Sequence, residues 1–227
     1  MASSTQNAPF LKELASSNKK SRDGALESLR RFLRSRAEID EIEFQKLWKG
    51  LFFCMWMSDR AKAQQTLAND LAELVNVVPA EKRLVFLRAF WKTMAHHWTS
   101  IDALRMNKFL LLVRRYLHAT FQQMSMGSWG QETLIDAHLS LLEEIPLNPS
   151  DPKVPDGMRY HVIDIYVDEL DRIDESRDGS MPLPVVLRPL ETLKAKTRNK
   201  TVRKRTSEAL ADERLQNWQS VEGDESE

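Results

Sequence analysis

Phe44, Leu47, Trp48, Leu51, Phe52 and Met55 recur at i, i+3, i+4, i+7, i+8 and i+11, and Leu84, Leu87, Trp91, Met94 and Trp98 keep the same rhythm. At about 100° per residue this spacing gathers each set on one arc of a helix, whereas a strand would throw neighbours to opposite faces. A chain patterned in this way folds as helices that each bury a stripe. Glycine agrees, because only 7 of 227 residues are Gly, too few for the tight primed turns that hairpin-rich sheets need. An all-β fold is disfavoured.

Boundary chemistry suggests frequent restarts: Pro79 suits a first helical turn, Ser100 a cap before Ile101, and Ser128 with Gln131 a capping box. The pattern predicts helices near 9–16, 21–35, 41–57, 61–78, 80–98, 101–124, 129–145, 157–175, 183–196 and 199–219. The connection from Pro146 to Pro155 contains four prolines, each pushing its predecessor out of the helical region, so a loop is expected there. The stretch from Gly179 to Pro184 is a second break. Helices of this length joined by short turns make antiparallel pairs, and a row of pairs is an all-α, HEAT/armadillo-like α-solenoid. The expected organisation is a flexible N-terminus at 1–8, a helical-repeat domain at 9–196, a basic C-terminal helix at 197–219 and an acidic disordered tail at 220–227.

Lys+Arg and Asp+Glu both number 33, which excludes a uniformly basic coat, yet the charges are segregated. The net charge is +5 from Lys12 to Arg36, −7 from Glu143 to Asp178, +7 from Arg188 to Arg205 and −6 from Thr206 to Glu227. Cys54 is the single cysteine, so no intrachain disulfide and no Cys-rich zinc site can form, and a reducing, intracellular compartment is expected. The longest apolar run, Leu51 to Met57, is far below the roughly 20 residues of a membrane span. With no basic-then-apolar leader after Met1, a soluble protein without secretory signal is expected.

Signatures of catalysis are missing: there is no Gly-rich phosphate loop, G-x-S-x-G elbow or paired-Cys spacing. No enzyme activity, cofactor, metal or small-molecule substrate is expected. His96 and His97 point about 100° apart on a helix and cannot share a metal; one is expected to pack and the other to face water. His161, Asp164 and Asp168 share a helix face at i, i+3 and i+7, a set better read as solvated surface than as metal ligands. Cys54 reads as a small buried hydrophobe, and Trp48, Trp91 and Trp98 as core, with Trp56 and Trp129 open.

The densest functional signal is basic: Lys194, Lys196, Arg198, Lys200, Arg203, Lys204 and Arg205 fall within twelve residues. Such a run repels itself unless a polyanion or acidic surface approaches, and it reads equally as a phosphate-contacting strip or a nuclear import signal. A second pair, Lys108 and Arg115, lies on the predicted helix 101–124 beside Leu104 and Leu111, opposite the arc of Met106, Phe109, Leu110, Val113, Tyr116, Leu117 and Phe121. That helix is apolar on two sides, so it is either sandwiched in the solenoid, the preferred reading, or offers Leu104 and Leu111 to a partner.

Three blocks carry a resemblance. The segment KLWKGLFFCMWMSDRAKAQQTLANDLAELV (Lys46 to Val75), FLRAFWKTMAHHWTSIDALRMNKFLLLVRRYL (Phe86 to Leu117) and YHVIDIYVDEL (Tyr160 to Leu170) resemble, in order, blocks of the eukaryotic ribosomal RNA-processing protein 1 family. The likeness runs from about Phe10 to Leu193. The resemblance implies a non-enzymatic nucleolar and nuclear scaffold in early assembly of the large (60S) ribosomal subunit. It would support ribosomal RNA processing beside pre-ribosomal RNA, ribosomal proteins and other assembly factors, Brix-domain proteins among them. It brings no catalytic residues. The alternative is a protein-only helical-repeat adaptor in nuclear transport or signalling, with a nuclease third.

Overall fold

A computed structural model describes residues 9–14, 16, 18–35, 39–216 and 218. The helices are α1 (Pro9–Leu14), α2 (Lys19–Ser35), α3 (Glu41–Trp56), α4 (Ala61–Val77), α5 (Arg83–His97), α6 (Ala103–Ser125), α7 (Glu132–Glu144), α8 (Asp156–Ile173), α9 (Leu183–Val186), α10 (Arg188–Lys196), α11 (Lys200–Leu210) and α12 (Glu213–Gln216). No strand occurs among the described residues, so the all-α class holds. The proposed flexible N-terminus at 1–8 and acidic tail at 220–227 lie outside the described residues.

The chain divides into two compact units, 1–116 and 117–227. In the first, α1 packs on α2, α3 on α4 and α4 on α5, while α1 also packs on α3, α2 on α4 and α3 on α5. Contact with both the next helix and the next but one is the neighbour pattern of an α-solenoid. The core is aromatic. Trp48 lies edge-on to Phe90 at 4.9 Å and to Tyr116 at 5.0 Å, and Phe90 stacks on Tyr116 at 3.8 Å, contacts that add to simple area burial. Tyr116 O–H donates to the Leu71 carbonyl, and burial pushes its phenol well above the ordinary range.

In the second unit α8 packs on α11, and α10 packs on α7, α9 and α11. Tyr166 is fully buried, meets Phe121 edge-on at 4.9 Å and donates to the Val186 carbonyl at 2.7 Å. The proline-rich connection is a loop, as expected, but it is wrapped around a buried cation. Arg159 donates from Nε to the Asn148 carbonyl at 2.7 Å and from its terminal nitrogens to the carbonyls of Asp151 and Val154, and it pairs with Asp156. Prolines remove backbone donors, so the loop's carbonyls are satisfied by this one guanidinium instead.

Several boundaries differ from the sequence expectation. Asp102, not Ser100, caps α6, accepting from the Arg105 N–H at 3.0 Å. Ser128 is no cap: Gly127, Ser128 and Trp129 are all left-handed (φ 68°, 52° and 60°), and α7 starts after Gln131 without a side-chain cap. The expected helix 199–219 breaks at Ala211 and Asp212, where the Asp212 carboxylate accepts from the Arg214 N–H. The expected helix 183–196 is split into α9 and α10.

Candidate nucleic-acid interface

Six of the cations singled out by the sequence meet at one turn. Lys194 and Lys196 occupy the last turn of α10, Arg198 sits in the link, and Lys200, Arg203 and Lys204 begin α11. The turn is held from beneath by Leu193, Val202 and Thr206, all buried. Asn199 caps α11, accepting from the N–H groups of Thr201 (2.8 Å) and Val202 (3.2 Å), while its amide donates to Asp156 at 2.7 Å. The turn is therefore tied to α8 by the Asn199–Asp156 hydrogen bond and closed by its own cap. Lys196, Arg198, Lys200, Arg203 and Lys204 are exposed and Lys194 is half-buried.

Charge placement at the two helix ends is unequal. Lys194 and Lys196 at the C-terminus of α10 favour that helix's dipole, but Lys200, Arg203 and Lys204 stand at the N-terminus of α11, whose first turn holds no acidic residue. Cations and the positive helix end there repel one another, and an approaching anion relieves both. Arg203 is oriented by donating to the Thr197 carbonyl, and Lys204 has only an exposed partner, Glu208, at 3.7 Å.

The other singled-out residues lie elsewhere. Arg205 turns inward onto α8, pairing with Asp164 at 2.8 Å and lying 4.9 Å over the Tyr160 ring. Lys108, expected as a surface cation, is 5% exposed. Its ammonium donates to the carbonyls of Trp56 (2.6 Å) and Ser58 (2.7 Å) at the end of α3, and burial lowers its pKa. Its charge is spent on a helix C-terminus, which corrects its assignment to a binding surface. Arg115 is half-buried, with Nε enclosed and unpartnered among the described residues. Leu104 is 94% exposed and Leu111 half-buried, so the second side of α6 is only partly covered.

The acidic face of α8 is largely used in ion pairs. Asp164 meets Arg205, Asp168 meets Arg214 at 3.0 Å, and Asp171 meets both Arg214 and Arg177. The −7 segment thus holds part of the basic C-terminal region against it. No cluster of three His, Cys, Asp or Glu able to hold a metal occurs among the described residues. No described helix is long and apolar enough to cross a membrane. Cys54 is buried, and burial pushes its thiol up to about 12. His97 stacks on Phe52 at 4.7 Å while His96 is exposed. Trp48, Trp91, Trp98 and Trp129 are buried, and Trp56 is half-buried beneath the Arg105 guanidinium.

Sequence reasoning missed Arg159 as a loop organiser and missed the outward stripe of α3. The first had no local signal, since its partners are backbone carbonyls; the second was legible as a phenylalanine, Phe53, on the side of α3 opposite the buried stripe.

Residues 5–227 match the family described as nucleolar protein, Nop52, so the likeness continues past Leu193 through the α10–α11 turn. The chain is 34% identical over 211 residues to ribosomal RNA processing protein 1 homolog B of Mus musculus, covering 89% of this chain and 28% of that protein. It is 38% identical over 170 residues to the Homo sapiens homolog B, covering 72% of this chain and 22% of that protein. With Homo sapiens homolog A it shares 36% over 166 residues, 70% of this chain and 36% of that protein. The chain spans about a quarter of the length of the homolog B relatives. A family match over nearly the whole chain, carried on a helical fold with the expected buried tryptophans, leads to one conclusion: this chain belongs to the Nop52 family of nucleolar proteins.

Proposed function

We propose that this protein acts in ribosomal RNA processing as a non-catalytic scaffold on early nucleolar precursors of the large ribosomal subunit. It contacts pre-ribosomal RNA through the α10–α11 turn and other assembly factors, Brix-domain proteins and ribosomal proteins included, through its remaining surface. The relatives, named as ribosomal RNA processing proteins, support the processing role. The observation that carries the RNA contact is the gathering of Lys194, Lys196, Arg198, Lys200, Arg203 and Lys204 on one capped turn at a helix N-terminus. Phosphate is the anion such a turn fits, because the exposed cations and the positive end of the α11 dipole act on the same charge, while the first-turn N–H groups of Thr201 and Val202 are already taken by Asn199.

Binding of this kind releases counterions, so affinity for a single-stranded RNA falls with salt at a log–log slope of roughly −0.7 per phosphate neutralised. The test is Lys200→Glu with Arg203→Glu and Lys204→Glu, measured by fluorescence anisotropy at several salt concentrations, and by co-sedimentation with pre-ribosomes. A separate import signal is fused to every variant, so that nuclear entry is not limiting. The expected outcome is a shallower slope and lost co-sedimentation with an unchanged helical spectrum. Unchanged slope and normal co-sedimentation would leave the turn an import address only, and binding to acidic proteins with none to RNA would favour the adaptor reading.

A further inference from the structure

The outward face of α3 is built for a partner. Ile42, Lys46, Lys49, Phe53 and Met57 follow one another at steps of four, three, four and four residues, which keeps them within one arc of about 80°. The buried residues Phe44, Leu47, Trp48, Leu51, Phe52, Cys54 and Met55 occupy the opposite arc. Ile42 is 61% exposed, Phe53 48% and Met57 61%, and both lysines are exposed. Six large apolar side chains are exposed among the described residues, and half of them stand on this stripe. Chance scatter of single apolar residues needs no explanation, but alignment of three along one helix face does.

From Ile42 to Met57 the stripe runs about 22 Å at 1.5 Å per residue, the length of four helical turns. The charges on the stripe itself have one sign, since the exposed Lys46 and Lys49 lie between the apolar residues. Of the two acids that flank the stripe in the first turn of α3, Glu41 is held by Lys92 of α5 and Glu43 is half-buried. We infer that this face docks an amphipathic helix of another protein, about four turns long, with apolar side chains at three- and four-residue spacing interleaved with Asp and Glu.

Other occupants fit less well. A second copy of the chain, packed two-fold on this face, would set lysines against lysines. The acidic residues 219–227 contain one large apolar side chain, Val221, and cannot fill three apolar positions. RNA would gain one stacking surface, Phe53, and nothing from Ile42 or Met57, which offer neither charge nor π-face.

The inference uses residues distant in sequence from the α10–α11 turn, so it stands or falls separately from RNA binding there. A photoreactive benzoylphenylalanine placed at position 53 of the full chain is cross-linked in cells, and the captured peptide is sequenced. In parallel the purified chain is titrated with two synthetic 18-residue helices, one with Leu at three- and four-residue spacing and Glu between, the other with Lys in place of Glu. The expected capture is an acidic amphipathic segment, and the acidic helix should bind at least about tenfold more tightly than the basic one. Phe53→Asp should weaken the acidic helix by about tenfold or more. Lys46→Glu with Lys49→Glu should reverse the charge preference, while the α10–α11 charge reversals change neither. Melting is measured for each variant, and Met57→Glu replaces Phe53→Asp if the latter is unstable. Capture of RNA, of a second copy, of a non-amphipathic segment or of nothing overturns the inference, as does equal binding of the two helices.

Discussion

Replacing Lys108 by Met tests whether a cation that reads as surface charge is really a structural cap. The substitution keeps an unbranched apolar stem of similar length and removes the ammonium that donates to the Trp56 and Ser58 carbonyls. Each hydrogen bond from a charged group is worth about 1.5 to 3 kcal/mol, so two give a gross loss of about 3 to 6 kcal/mol. Met offsets part of that, because it avoids the burial cost that lowers the Lys108 pKa, and the freed carbonyls at the end of α3 regain some water. The net destabilisation should be about 2 to 3 kcal/mol, or a fall in melting temperature of about 5 to 10 °C by the usual entropy scaling for a chain of this size. The pH dependence has a definite sign. The folded protein binds this proton less tightly than the unfolded chain, whose Lys titrates near 10.5. Between the lowered value and 10.5 the unfolded state therefore carries more proton, and stability contributed by Lys108 rises with pH. The gap between wild type and Lys108→Met should widen through that window, read by urea unfolding monitored by circular dichroism. Equal melting of the two proteins, or lost RNA affinity at unchanged stability, would refute the capping argument and return Lys108 to the surface.

Trp48→Ala should cost about 3 to 5 kcal/mol, the range for truncating a fully buried large aromatic, because Phe90 and Tyr116 lose a common neighbour; calorimetry checks it, and melting near wild type would mean the aromatic core is wrongly placed. Cys54 should resist alkylation at pH 8 in the native protein and react fully in denaturant, since burial pushes its thiol up to about 12; rapid native labelling by iodoacetamide would contradict the burial.

The helices were legible because their cause is local. The spacing of Phe44, Leu47, Trp48 and Leu51 requires a buried helical stripe whatever it packs against, and all four are buried in α3. Helix ends were less legible where capping is a competition among near neighbours: Asp102 outbids Ser100 because its carboxylate reaches the Arg105 N–H, and Ser128 is taken up in a left-handed turn begun by Gly127. The candidate interface was visible as composition, but which cations stay free was not. Arg205 is turned onto Asp164 and Tyr160, and Lys108 is turned onto backbone carbonyls, through contacts 41 to 52 residues apart in sequence.

By itself the sequence determined the all-α class, the aromatic core positions, the proline-interrupted connection and the segregation of charge, since each follows from side-chain chemistry acting over a few residues. Tertiary structure alone decided which charges are spent. The acidic face of α8 meets Arg205 and Arg214, Arg159 gathers the carbonyls of the proline loop, and the cations of the α10–α11 turn and the outward stripe of α3 are left facing solvent. The physical reason is that pairing depends on distance in space, and helix packing brings together residues whose separation along the chain carries no trace of it.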